Sequence, residues 1–234
     1  MVQSVTMPIN EAWLRPVEQL VMPALENKIR VLGFTSPEAG TGVTTLARAA
    51  AEVLARSGAR VLLICYASND IAAAGATAWK PGEPGASQHI ARHQDGYDVL
   101  TAEVNAQTRF LFNNAKRLRR SLVEDLADYG TIVVDLPPIL EDKPDSINPL
   151  ASALVCDQVV LVCANERTTR ASASQAIEAA RAAGVKIAGA VWNDLGVAPL
   201  GKDMARSAMS RLWFMPKVAR FLERRLSRSR FLNS

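Results

Sequence analysis

The sequence predicts an α/β protein built on a doubly wound parallel sheet. Short, continuously apolar runs alternate with alanine-rich segments of helical periodicity, which is typical of strands covered on both faces by crossover helices. Hydrophobic residues make up 49% of the 234 residues and aromatic residues only 6%. Alanine supplies much of this apolar content, which favours a helix-rich α/β domain over a β-sandwich. A chain of this length can bury a full core without disulfide or metal staples.

Six apolar runs are predicted to be the strands of this sheet. Each run is short and is bounded by glycine, proline or charged residues. Pro137 and Pro138 end the fourth run, because proline has no N–H to donate to a sheet. The predicted strands are residues 28–34, 59–65, 97–100, 131–138, 157–164 and 186–194.

Four segments are predicted to be helical, one before the first of these runs and three between them. Gly58 and Gly184 end two of them. Pro16 and Pro23 are expected to interrupt the first, since each removes a backbone donor. The predicted helices are residues 10–27, 44–57, 107–127 and 167–184, while residues 68–96 are predicted to be a loop with a short helix and residues 141–150 an acidic loop.

The chain is predicted to have three parts: a lead and helix at 1–27, one α/β domain at 28–200, and a basic tail at 201–234. No apolar run reaches the roughly 18 residues of a membrane-spanning helix, and the first residues lack a signal-peptide core, so we expect a cytoplasmic protein. The three cysteines, Cys65, Cys156 and Cys163, lie in or beside apolar runs and are predicted to be buried, reduced thiols.

The most informative segment is the glycine-bearing turn between the first strand and the next helix, residues 36–45, SPEAGTGVTT. Backbone N–H groups and a helix N-terminus converge on an anion at such a junction. Glycine at positions 40 and 42 lets the backbone turn and approach a phosphate. The predicted phosphate-contacting residues are Gly40, Thr41, Gly42, Val43, Thr44 and Thr45, with the Thr44 hydroxyl placed to hold Mg²⁺. The alternative is a plain strand–turn–helix junction.

One residue of this loop departs from the phosphate-binding pattern. The residue after the second glycine is expected to be a lysine that reaches the β- and γ-phosphates, and here it is Val43. Valine supplies neither charge nor donor, and charge-assisted hydrogen bonds contribute about 1.5–3 kcal/mol each. We therefore expect ATP or ADP with Mg²⁺ to bind weakly or not at all.

Three segments resemble the bacterial tyrosine kinases, or BY-kinases, that regulate capsule and exopolysaccharide synthesis. Residues 35–64, TSPEAGTGVTTLARAAAEVLARSGARVLLI, resemble their first nucleotide-binding block. Residues 128–140, DYGTIVVDLPPIL, resemble their Asp-x-Pro-Pro block, which distinguishes them from the ParA- and MinD-like partitioning ATPases, and residues 159–194 resemble the region that follows. The resemblance implies a P-loop NTPase-like fold in which Asp135 holds Mg²⁺ through water. The alternative role of Asp135 is to cap a turn.

Three features of the family pattern are missing. The loop lysine is replaced by Val43, and the Asp-x-Asp pair that follows the second strand is replaced by Cys65, Tyr66 and Ala67. The tail contains no tyrosine, whereas the kinases carry a C-terminal tyrosine cluster. We therefore expect a pseudokinase or pseudo-ATPase with no catalytic residues. The resemblance implies an accessory role in exopolysaccharide synthesis and export, with an inner-membrane co-polymerase protein as partner.

Two other functions stay open from the sequence. An active tyrosine kinase or ATPase would need a relocated cation, for which Lys202, Arg167, Arg170 or a residue of a second subunit are the candidates. A partitioning protein of the ParA or MinD type would bind DNA through its tail. His89 and His93 are spaced i, i+4, as metal ligands on a helix can be, but solvent-exposed histidines are the preferred interpretation.

The basic character of the chain belongs to its tail. From residue 202 to the end there are nine lysines and arginines against two acids, a net charge of +7, which leaves −3 for the remainder. Apolar residues recur at helical spacing across residues 204–232. Such a segment can lie on an anionic membrane, pack on the domain or bind nucleic acid, and of these the membrane surface is preferred and nucleic acid is the least favoured. A location peripheral to the inner membrane is expected, and a homo-oligomer is one option.

Overall fold

The computed structural model describes residues 11–66, 79–82, 85–102, 104, 108–141, 147–165 and 167–194, with side chains from Arg15 onward. Residues 1–10 of the predicted N-terminal lead and the whole predicted tail, residues 201–234, lie outside the described part of the chain. The strands are β1 (Val31–Thr35), β2 (Val61–Tyr66), β3 (Ile90–Arg92), β4 (Asp98–Ala102), β5 (Thr131–Asp135), β6 (Gln158–Ala164) and β7 (Ile187–Asn193). The helices are α1 (Glu11–Glu26), α2 (Val43–Arg56), α3 (Arg109–Phe112), α4 (Ala115–Arg120), α5 (Pro149–Ala153) and α6 (Arg170–Ala182).

The strands form one seven-stranded sheet in the order β3-β4-β2-β5-β1-β6-β7. The central pairs β4–β2, β2–β5, β5–β1 and β1–β6 are all parallel. Strand β1 therefore lies inside the sheet, with the strands that follow it in the chain on both sides. This arrangement confirms the predicted doubly wound α/β fold.

The edge strand β3 corrects the prediction of a wholly parallel sheet. Strand β3 pairs antiparallel with β4, and a turn closed by the bond from the His93 N–H to the Tyr97 carbonyl (2.8 Å) joins the two strands. Gly96 adopts a φ of +93° in this turn, which glycine allows at no steric cost. The sequence analysis placed β3 within a loop, because three residues are too few to show a strand period.

Apolar clusters cover the two faces of the sheet. On one face α1 and α2 pack against side chains that include Leu32, Phe34, Leu63 and Val133. On the other face helices α3 to α6 and the π-helical turn Ser121–Asp125 pack against side chains that include Leu62 and Ile132. Neighbouring residues of β2 and β5 thus point to opposite faces, as the pleat requires. The continuous apolar runs of the sequence exist because both faces are buried.

Helix α1 corrects the expectation that Pro16 and Pro23 interrupt the N-terminal segment. The helix runs unbroken from Glu11 to Glu26 with both prolines inside it. Both prolines are exposed, while Val17, Val21 and Ala24 are buried against α2. The prolines are seven residues apart and share the solvent-facing side, where water can satisfy the carbonyls that lose their partner. Burial of the opposite face stabilises the helix.

Two other segments differ from prediction in their detail. The helix expected at 107–127 is divided into α3, α4 and the π-helical turn, and Asn114 caps α4 by accepting the N–H of Arg117 at 3.0 Å. The acidic loop expected at 141–150 ends in a short helix, α5, whose cap is Asn148. In both segments an asparagine side chain competes for backbone donors and sets a helix boundary.

Asp157 joins three elements at the amino-terminal edge of the sheet. Its Oδ2 accepts the N–H groups of Arg30 (3.0 Å) and Val31 (2.8 Å), and its Oδ1 accepts Nη2 of Arg119 at 2.7 Å. Burial by itself would raise the pKa of this carboxyl, but these donors and the Arg119 charge hold the pKa below its usual value. The start of β1, the start of β6 and helix α4 are thereby fixed to one carboxylate.

We predict that Asp157→Ala lowers the free energy of unfolding by about 2–4 kcal/mol at pH 7, because it leaves backbone donors and a guanidinium without their acceptor. The folded-state pKa lies below the unfolded value of about 4, so the contribution is complete above pH 4 and is lost as the pH falls through the folded-state pKa. Urea denaturation at pH 7 and pH 3 measures both effects.

Asp128→Ala is the matched control, since this aspartate is 80% exposed and pairs with Arg60 at 3.5 Å on the surface. We expect it to change stability by less than about 1 kcal/mol. An equal loss in the two variants, or an Asp157→Ala loss as large at pH 3 as at pH 7, would contradict this assignment.

Candidate phosphate-binding site

The loop between β1 and α2 adopts the conformation that its glycines predict. Gly40 has a φ of +76° and Gly42 a φ of +92°, both in the left-handed region. Gly42 is the N-cap of α2, and no side chain caps the helix there. The first N–H groups of α2 therefore point out of the helix without a capping side chain, which is the arrangement that binds anions.

A cavity of about 320 Å³ opens at this loop, at the carboxyl ends of β1, β2 and β5. Of the predicted phosphate-contacting residues, Gly40, Gly42, Val43 and Thr44 line it together with Asp135. Thr41 and Thr45 are not among its lining residues: the Thr41 side chain is buried, and Thr45 is exposed. The structure thus brings most of the predicted loop residues and the predicted aspartate to one cavity.

Thr44 and Asp135 form the centre of the site. The Thr44 hydroxyl donates a hydrogen bond of 2.8 Å to Asp135 Oδ2, across the gap between α2 and the end of β5. Burial raises the pKa of Asp135 to about 6, and the Thr44 bond and the charge of Arg48 oppose this rise. A hydroxyl and a carboxylate that touch each other are suitable ligands for a Mg²⁺ ion whose remaining ligands are phosphate oxygens and water. These residues therefore fit the metal of a Mg-nucleotide.

The segment after Asp135 braces the loop from one side. The Leu136 N–H donates to the Phe34 carbonyl (2.8 Å), and the Ile139 N–H donates to the Ser36 carbonyl (2.8 Å), so the β1–β5 pairing continues past the strand ends. At the end of this segment Glu141 Oε1 accepts the N–H of Ala39 at 2.7 Å. Sequence reasoning missed Glu141, because nothing in an acidic loop indicates which carboxylate reaches a backbone donor.

Val43 lines the cavity and also packs against the core that α2 shares with the sheet. Its apolar side chain stands where the lysine is expected, and the cavity next to it is open. The valine therefore removes a charge and hydrogen-bond donors from the loop without closing the cavity.

Neutral side chains stand at the end of β2, where the family pattern has carboxylates. Cys65 lies beside Asp135 in the β2–β5 register, and burial, with a smaller contribution from the Asp135 charge, raises the pKa of its thiol. Tyr66 lines the cavity and contacts the Phe112 ring edge-on, with 5.5 Å between centroids. Burial also raises the pKa of the Tyr66 phenol. Both groups are uncharged at neutral pH, and Ala67 lies outside the described residues.

Arg167 is the candidate cation that the structure brings to the loop. Its Nη1 lies 2.7 Å from the point that a Cβ on Gly40 would occupy. Arg170 is the first residue of α6, and Lys202 lies outside the described residues.

The histidines and cysteines that the sequence analysis considered lie in ordinary structural environments. His93 stacks on Tyr97 with 4.5 Å between ring centroids, and its Nδ1 lies 3.2 Å from Asp95. No group of three or more histidine, cysteine or acidic side chains suited to a metal occurs within the described part of the chain. Cys65, Cys156 and Cys163 are buried and unpaired, as predicted. None of the described helices is both long and apolar enough to cross a bilayer.

Comparison with solved structures shows that this is the fold of bacterial tyrosine kinase domains and of their P-loop NTPase relatives. The kinase domain of Escherichia coli tyrosine kinase ETK is 23% identical with a TM-score of 0.65, covering 77% of this chain and 74% of that one. The kinase domain of VpsO is 23% identical with a TM-score of 0.63, covering 79% and 97%. The septum site-determining protein MinD from Pyrococcus horikoshii, solved with Mg-ADP, is 18% identical with a TM-score of 0.57, covering 72% of each chain.

Two further comparisons gave no match, one with protein-family models and one with curated proteins. At these identities the likeness establishes the fold, and the P-loop NTPase-like architecture predicted from the sequence is confirmed. Because one fold can host many functions, a function must be argued from the residues of the site.

We predict that Asp135→Asn raises the free energy of unfolding by about 2–3 kcal/mol at pH 7. The folded-state pKa lies above the unfolded value of about 4, so the native protein binds the extra proton between pH 4 and 6 and its stability falls as the pH rises through that window. Asparagine keeps an acceptor for Thr44 without the buried charge. Urea denaturation of both proteins between pH 4 and 7 tests this, and the gain should vanish near pH 4.

Asp125→Asn, an exposed aspartate in the π-helical turn, is the control and should change stability by less than about 0.5 kcal/mol throughout. If Asp135→Asn is destabilising at pH 7, the carboxylate is a stabilising element of the fold and the interpretation is wrong.

Proposed function

We propose that this chain is a nucleotide-binding but non-catalytic accessory protein of bacterial exopolysaccharide synthesis and export. The observation that carries the proposal is the contrast at one cavity. The Thr44–Asp135 pair is intact, while the end of β2 places the neutral Tyr66 in the cavity lining and the neutral, buried Cys65 beside Asp135.

Phosphoryl transfer depends on positioned charges around the reacting phosphate. Metal ions and cationic side chains neutralise the developing charge, and another group orients the nucleophile. Among the described residues that line the cavity, Asp135 is the one carboxylate, and it is already hydrogen-bonded to Thr44. A thiol and a phenol with raised pKa values accept protons poorly at neutral pH. The site can thus hold a phosphate chain without promoting its transfer.

ATP or ADP with Mg²⁺ is the ligand that the site fits. Thr44 and Asp135 would hold the metal, which would bridge the protein and the phosphates and offset their charge. The uncapped N–H groups at the start of α2 would contact the phosphates directly. Without the loop lysine we expect weaker binding than in an intact P-loop.

The polysaccharide role is supported by the likeness of the fold to the ETK and VpsO kinase domains and by the segments that resemble BY-kinases. In this proposal the protein acts at the cytoplasmic face of the inner membrane, next to a co-polymerase membrane protein. Residues 204–232 would contact anionic lipid.

Deleting the gene should then change the amount or chain length of the surface polysaccharide, and an unchanged polysaccharide would remove the basis for this role.

One observation favours a second candidate, an active ATPase or tyrosine kinase. A cationic side chain, that of Arg167, lies at Gly40 of the loop despite the missing lysine. An active enzyme would hydrolyse ATP or phosphorylate tyrosine, and it would lose that activity in Asp135→Ala. The two candidates therefore differ in turnover rather than in binding.

We predict that Val43→Lys strengthens binding of Mg-ATP by about tenfold or more, since a restored charge-assisted hydrogen bond contributes about 1.5–3 kcal/mol. The aliphatic stem of lysine can occupy the place of the partly buried valine while its amine reaches the cavity. Calorimetric titration with ATP and ADP, with and without Mg²⁺, measures the change. Phosphate release from ATP, followed in parallel, should stay at background in both proteins.

Thr45→Lys is the matched control, because it adds the same charge two residues away, on an exposed residue that does not line the cavity. Equal gains in the two variants would show that only the net charge matters. ATP hydrolysis by the natural protein that is lost in Asp135→Ala would replace this proposal with the enzymatic one.

A further inference from the structure

The loop that follows β6 lies next to the phosphate-binding loop. Strands β1 and β6 are parallel neighbours, with Thr35 paired to Leu161, so their carboxyl ends meet at the same edge of the sheet. The phosphate-binding loop begins directly after Thr35. Arg167 comes three residues after the last residue of β6.

Hydrogen bonds fix the backbone around Arg167. Its own N–H donates to the Ala164 carbonyl at 3.3 Å. The neighbouring Thr168 accepts the Ala164 N–H at 3.1 Å and lies 3.4 Å from Glu38 Oε2, on the phosphate-binding loop. Thr169 then starts α6 with a capping box that includes Ser172. The position of Arg167 is therefore set by both loops and by the helix that follows.

The Arg167 guanidinium covers Gly40. Its Nη1 lies 2.7 Å and its Cζ 3.0 Å from the point where a Cβ on Gly40 would stand. Glycine at position 40 thus has two causes, the φ of +76° and the space that the guanidinium takes. Close approach of a side chain to a glycine backbone brings its charge to the peptide groups that form the anion-binding loop.

The charge of Arg167 is available to a ligand. Among the residues that the structure describes, no carboxylate forms an ion pair with its guanidinium, whereas Arg119 and Arg92 each pair with an aspartate at 3.0 Å or less. The side chain is exposed to solvent at the loop rim. A guanidinium presents several N–H donors in one plane, which suits the oxygens of a phosphate group.

We propose that Arg167 takes over the role of the missing lysine and binds the terminal phosphate of a nucleoside di- or triphosphate from the β6–α6 loop. The ligand class follows from two separate positions: Arg167 lies at Gly40, while the Thr44–Asp135 pair lies between the start of α2 and the end of β5, so a ligand that reaches both needs more than one phosphate. A nucleoside monophosphate would not need it. This inference rests on the proposed function only in requiring that the cavity binds nucleotide; it does not require that the protein lacks turnover.

The test is calorimetric titration of the full-length protein with Mg-ATP, Mg-ADP and AMP, for the natural protein and for Arg167→Gln, Arg167→Lys and Arg170→Gln. We expect Arg167→Gln to weaken ATP and ADP binding by about tenfold to a hundredfold, the loss of one charge-assisted contact, and to leave AMP binding within about twofold. Arg167→Lys should recover part of the affinity. Arg170→Gln, an exposed arginine three residues on, should stay within about twofold.

Urea midpoints and circular dichroism of the variants are the control for folding, and both should match those of the natural protein. The inference is overturned if Arg167→Gln binds ATP as the natural protein does, if AMP is weakened as much as ATP, or if Arg170→Gln gives an equal loss. It is also overturned if the natural protein binds none of the three nucleotides. Failure of the proposed function would be seen differently, as ATP turnover that depends on Asp135.

Discussion

The parallel pairing of β1 with β5 on one side and β6 on the other is the constraint on which the rest of the site depends. This pairing brings the carboxyl ends of three strands to one edge of the sheet, and each end supplies a different functional group. The loop with its uncapped helix follows β1, Asp135 ends β5, and Arg167 follows β6. These residues are far apart in the sequence, and only the register of the central strand brings them to one edge of the sheet.

The site combines a retained scaffold with altered charges. Burial that raises the pKa of Asp135 to about 6 has an energetic cost, which is typical of a position kept for ligand binding rather than for stability. The Thr44 hydroxyl limits this cost by donating to the carboxylate. Next to this pair, Cys65 and Tyr66 bury neutral groups where acids would repel Asp135. In the proposed function, this lining serves retention of a metal–phosphate group rather than its transfer.

The differences between prediction and structure have identifiable causes. Pro16 and Pro23 were expected to break a helix, but both lie on its solvent side, and the buried side that includes Val21 outweighs two lost hydrogen bonds. Strand β3 was missed because a three-residue edge strand has no detectable period. Glu141 was missed because its bond to Ala39 depends on how residues 136–141 run beside the loop. Each miss is a tertiary effect that overrides or adds to local preference.

The sequence by itself determined the doubly wound fold and the loop with Gly40 and Gly42, which follow from apolar period and glycine conformation, both local properties. Asp135 was expected at the site only through the resemblance to BY-kinases, and its bond to Thr44 is a tertiary contact. Only the tertiary structure decided that Arg167, and not merely any basic residue, lies on Gly40, and that Tyr66 lines the cavity. The physical reason is that charges and hydrogen-bond donors act only on groups that are close in space. That proximity is set by the order of the strands in the sheet and not by the spacing of residues along the chain.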